Sequence, residues 1–110
     1  MNPKVLFVIS SDPRVSHRPA EAIRIAAGVG AWEAAEIKVY LHGAAVLLLG
    51  EDESAVKQHL GMLAESGRAI CVEAENSFLK DVNEADFRYE QIPARQLAAL
   101  ASESNYLAHF

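Results

Sequence analysis

Lys4-Val-Leu-Phe-Val-Ile9 is the stretch that most limits what this chain can fold into. Successive strand residues point to opposite faces of a sheet, so an apolar run with no polar break demands cover on both faces. A central strand of a parallel sheet meets that demand, because its crossover connections lay helices over the sheet. The polar segment Ser10–Arg18, which carries Pro13, then reads as a loop. Pro19 suits a first helical turn, where its missing N–H removes no intrahelical bond. Beyond it Ile23, Ala26, Ala27 and Gly30 recur at helical spacing and predict a helix closing near Gly28–Gly30.

Strand and helix signals go on alternating. Glu36–Leu41 predicts a second strand, punctuated by His42-Gly43. Ala44–Leu49 fits a short helix or a strand equally, because six apolar residues carry too little periodicity to decide. Asp52 is placed to cap a second helix, with Val56, Leu60 and Leu63 on its apolar face and Gly67 as the residue that ends it. Arg68–Val72 predicts a third strand, Glu73–Lys80 a short helix and Asp81–Arg88 a loop. Tyr89–Ile92 is a brief fourth strand. Pro93 opens a last helix with Leu97, Leu100 and Ala101 on its apolar face, and Asn105–Phe110 closes the sheet. Such a pattern specifies a small three-layer α/β/α sandwich with a mostly parallel sheet of about five strands. Residues 1–110 are expected to form a single α/β domain.

Composition narrows the function classes. A net charge of −5 opposes non-specific binding to nucleic acid or to an anionic membrane, both of which want a basic face. A single cysteine excludes an internal disulfide and a cysteine-cluster zinc site, and it fits a reducing compartment. No secretory signal is visible at the N-terminus, and the longest apolar run, Gly43–Gly50, is far short of the ~20 residues that span a bilayer. A cytoplasmic protein is expected. No G-x-G-x-x-G follows the first strand and no phosphate-binding lysine loop occurs, so no nucleotide cofactor is expected. A zinc site from His17, His42 and Cys71 would draw its ligands from three separate loops, and no metal is expected either.

Ligands of open α/β sheets bind beyond the carboxyl ends of the strands. There the first strand delivers Ser10, Ser11, Asp12, Arg14 and His17, the second His42 and Gly43, and the third Cys71 with Glu73, Glu75 and Asn76 beyond it. Each has a plain structural alternative. Cys71 in an apolar strand serves equally as a small core residue. Asp12-Pro13 is a turn opener, His17 a solvated loop residue and His42 a turn residue before glycine.

The sequence Ile70-Cys71-Val72-Glu73-Ala74-Glu75 resembles the DsrE/DsrF/TusD sulfur-relay family. So do Ser11-Asp12-Pro13 with Arg18–Ala26 at the start, and Pro93–Leu100 with the strand to Phe110 at the end. The resemblance implies a small α/β sandwich that assembles into trimers or hexamers. It also implies a cysteine at Cys71 that accepts sulfane sulfur as a persulfide and passes it to a partner thiol. Asp12, Arg14, His17 and His42 would support that site. The thiolate is the reacting form, so Cys71 is expected to be reachable and to titrate at or below the ordinary value of ~8.5. A helix starting beyond Val72 would favour the thiolate, Glu73 and Glu75 would oppose it, and Arg14, His17 or Arg18 would offset them. The apolar Ala44–Leu49 segment is expected at a subunit interface. Two other functions fit the same fold: a non-catalytic oligomeric interaction subunit with Cys71 in its core, and a small-ligand module using Asp12, Arg14, His17 and His42 as polar contacts.

Overall fold

The computed structural model describes residues 3–31, 35–50, 54–65, 69–81 and 89–110. Five strands form one sheet: β1 (Lys4–Ile9), β2 (Glu36–Leu41), β3 (Ala69–Glu73), β4 (Glu90–Ile92) and β5 (Tyr106–His109). Their order is β4-β3-β2-β1-β5, and every neighbouring pair is parallel. Helices α1 (Arg18–Ala31) and α2 (Ser54–Glu65) lie on one face, and α3 (Leu97–Glu103) lies on the other. The α/β sandwich and its parallel sheet are as the sequence predicts. Asp52 and Gly67 lie outside the described residues, as does most of the Asp81–Arg88 loop.

The unbroken run in β1 is explained by burial on both faces: Leu6, Phe7, Val8 and Ile9 are all buried. Alternation sorts the core into two halves. Phe7, Ile9, Ile37, Val39, Leu41, Ile70 and Val72 pack under α1 and α2 with Ile23, Ala26, Val56, Leu60 and Leu63. Leu6, Val8, Tyr40 and Cys71 occupy the opposite face, beneath Leu97, Leu100 and Ala101 of α3 and Ile92 of β4. The first half is thick and the second thin, because α3 has seven residues and none of its side chains is fully buried.

The structure resolves the segment left open between helix and strand and corrects the one after β3. Gly43–Gly50 is a 3-10 helix, with Ala45, Val46, Leu48 and Leu49 buried. Its apolar side chains complete the core of the single chain, so they are not surface reserved for a partner. The strand β3 runs on through Glu73, so the segment after it is a turn followed by a short 3-10 helix at Ser77–Asp81 rather than a helix from Glu73. Within that turn Glu75 has φ +62°, the left-handed region that disfavours a side chain. Glu75→Gly should therefore raise stability by about 0.5–1 kcal/mol, read as a higher urea midpoint at unchanged slope. A lower midpoint would show that the turn is not strained.

Candidate functional site

The chain lays β1 to β4 outward in one direction, then returns to place β5 on the far side of β1. The topology therefore reverses between β1 and β5, where crevices open at the carboxyl ends of such sheets. The Ser10 and Ser11 amides both donate to the main-chain oxygen of Phe110, at 3.0 and 3.2 Å. The Ser11 hydroxyl donates to the same oxygen, and Ser10 Oγ lies 3.0 Å from His109 Nε2. Below this rim, on the α3 face, an open apolar cleft of about 410 Å³ is lined by Val8, Leu97, Ala98, Ala101, Leu107 and His109.

Asp12 and Arg14 bind each other. The Arg14 guanidinium donates to both carboxylate oxygens of Asp12, and the Arg14 amide donates to Asp12 Oδ1. These bonds hold the Asp12 carboxyl below the usual range. Arg14 also stands 5.5 Å over the ring of Phe78, which packs against the α1–α2 half of the core. That is the opposite side of the sheet from Cys71. His17 is exposed just ahead of α1, and its carbonyl accepts the Glu21 amide. Of the four supporting residues, only His42 stands on the face that carries Cys71.

His42 follows β2 directly, two residues after Tyr40, and the two rings stack at 6.5 Å. Its Nε2 lies 3.0 Å from Glu73 Oε2. A carboxylate only accepts, so Nε2 is the nitrogen that donates. The second oxygen, Glu73 Oε1, accepts from the Gly43 amide at 3.2 Å and from Asn76 Nδ2 at 2.8 Å. Asn76 Nδ2 also donates to the Gly43 carbonyl, and Asn76 Oδ1 accepts the Phe78 amide. Glu73 and Asn76 thereby tie the β2 and β3 connections together and orient the imidazole. Asn76→Ala should lower stability by about 1–2 kcal/mol, because it strips three polar partners at a half-buried site. A urea midpoint unchanged from wild type would contradict this.

Cys71 lies within β3, not at its end, and its side chain has no exposure. It pairs with Tyr40 on one side and with Glu90 on the other. Burial first, and then the Glu90 carboxylate, push the thiol up to about 11, while Lys38 pulls the other way. This direction is opposite to that expected from the sequence. The acid responsible is Glu90 rather than Glu73 or Glu75, and no base from the 12–18 loop offsets it.

Tyr40 is the residue that the sequence reading missed. It is fully buried, and its hydroxyl donates to the Ile92 carbonyl at 2.9 Å. Burial, then Glu73 and Cys71, raise its pKa. The available signal was a lone hydroxyl in the apolar strand Ile37–Leu41, because a buried tyrosine hydroxyl needs a partner. Among the described residues no group of three His, Cys, Asp or Glu side chains is placed to hold a metal ion. No described helix is long and apolar enough to cross a membrane.

The molecule is therefore an all-parallel α/β domain with a carboxylate–imidazole pair at the carboxyl ends of β2 and β3 and a closed thiol beneath it. The same fold occurs in the ychN protein from E. coli, with a TM-score of 0.81 at 15% identity over 100% of both chains. It occurs also in BT1422 from Bacteroides thetaiotaomicron, a conserved protein of unknown function, with a TM-score of 0.67 at 16% identity. That match covers 98% of this chain and 95% of the other. No family model matches the sequence, and no curated protein sequence matches it.

Proposed function

We propose that this protein is a DsrE/TusD-like sulfur carrier, in which Cys71 accepts sulfane sulfur from a persulfide donor and passes it to a partner thiol. The observation that carries this reading is one of register. Tyr40 and Cys71 are directly paired, and two residues further along each chain the side chains of His42 and Glu73 meet at 3.0 Å. The single cysteine is thus placed below an oriented imidazole, in the region where α/β sheets do their chemistry. The exchange is balanced without an oxidant. The Cys71 thiolate attacks the outer sulfur of the donor R–S–SH, the S–S bond of the donor breaks, and R–S⁻ leaves and takes the proton that Cys71 lost. The products are Cys71–S–SH and R–SH.

As a carrier the protein would be cytoplasmic, would need donor and acceptor proteins, and would assemble as a trimer or hexamer. Exposed Tyr106 and Leu107 on the edge strand β5 offer apolar surface for that assembly. A second reading, the interaction subunit with Cys71 as a core residue, is favoured by the zero exposure of the thiol. Intact mass measured after incubation with inorganic polysulfide separates them. The carrier gains one sulfur per chain, lost in Cys71→Ser, whereas the structural subunit gains none until it is unfolded.

A further inference from the structure

Tyr40 begins level with Cys71, its register partner on β3. Its hydroxyl ends on the carbonyl of Ile92, which lies level with Glu73 and one strand further on. The tyrosine side chain must therefore cross β3 between Cys71 and Glu73, on the face those two residues share. It walls the thiol off from the carboxyl edge. Its anchor, Ile92, is the last residue of β4, a three-residue edge strand, and Pro93, a 3-10 turn and α3 follow it at once. Ile92, Leu97, Leu100 and Ala101 are the residues that cover the Cys71 face, and each is only half-buried.

We infer that β4 and α3 form a lid over the Cys71 face and that the Tyr40–Ile92 hydrogen bond is its latch. The segment springs from the latched residue, so loss of the tyrosine bond leaves Ile92 held by the Ala74 amide alone and loosens the hinge and the helix together. Short elements without buried side chains open locally at lower free energy than a packed core does. The thick α1–α2 half stays folded while the thin half lifts. The function of such a lid rests on the carrier reading, since it would keep the thiol protonated and closed until donor or acceptor arrives. Its existence does not.

Tyr40→Phe tests the latch cleanly. The ring is kept, and the Ile92 carbonyl retains the Ala74 amide at 3.1 Å, so no buried acceptor is orphaned. Thiol labelling of Cys71 in the folded variant should be roughly three- to tenfold faster than in wild type, the factor one net hydrogen bond corresponds to. Amide exchange of residues 97–103 should accelerate by the same factor, with α1 unchanged. Equal labelling rates in the two proteins, or an α1 that accelerates equally, would overturn the lid. Sulfur uptake measured on the same pair keeps the two claims apart. Faster labelling with no uptake in either protein leaves the lid and removes the carrier. Uptake in both proteins with equal labelling rates leaves the carrier and removes the lid.

Discussion

Iodoacetamide near neutral pH should modify Cys71 of the folded protein more than about a hundredfold more slowly than Cys71 of the urea-unfolded chain. Two physical causes act together. The thiol has no exposed surface, so reagent reaches it only when its cover opens. Its pKa is pushed up to about 11, which lowers the reactive thiolate fraction by about two orders of magnitude relative to an ordinary thiol at ~8.5–9. Neither cause survives unfolding. A folded-state rate within roughly tenfold of the unfolded rate would mean that Cys71 is open at the surface.

The same burial makes stability depend on alkaline pH. The thiol titrates near 9.0 when solvated and near 11 when folded, so the folded state holds its proton more tightly. Below pH 9 both states are protonated and the full stabilisation is present. Between pH 9 and 11 the unfolded chain ionises first, and stability falls by up to about 2–3 kcal/mol before levelling off. Tyr40, also raised, adds a loss of the same sign at higher pH. Urea titrations of wild type and Cys71→Ala across this range isolate the cysteine, because Tyr40 is common to both. The stability difference between the two proteins should shift toward the alanine variant as the pH rises. Parallel curves would show that the thiol titrates alike in both states.

Much of the fold was legible because its elements obey simple periods. The unbroken β1 run announced a strand covered on both faces, and Val56, Leu60 and Leu63 announced the buried stripe of α2. The Gly43–Gly50 segment was not legible, because eight nearly uniform apolar residues carry no face at either the strand or the helix period. Uniform apolarity also concealed which side of the sheet each residue of β3 serves, since a strand covered on both faces has no polar face to set the parity. That parity decides the site: Cys71 faces α3, while the 12–18 loop sends Arg14 to the other side. The carboxyl-end rule placed His42 at the edge where it stands beside Glu73. It also put Glu73 and Asn76 at the same edge, but the pairing of an acid with an imidazole depends on the β2–β3 register, which no local pattern specifies. Tyr40 was hidden for a related reason, because its partner Ile92 is remote in sequence and two strands away.

Carrying and handing over sulfur is the central claim, and one measurement addresses it directly. The native protein is incubated with inorganic polysulfide, freed of donor by gel filtration, weighed intact, and weighed again after a low-molecular-weight thiol is added. One sulfur per chain should be retained through the filtration on Cys71 and then return to the added thiol, with Cys71→Ser retaining none. A filtered native chain of unchanged mass, with a thiol that takes up sulfur only in denaturant, would contradict the carrier and leave Cys71 as part of the core.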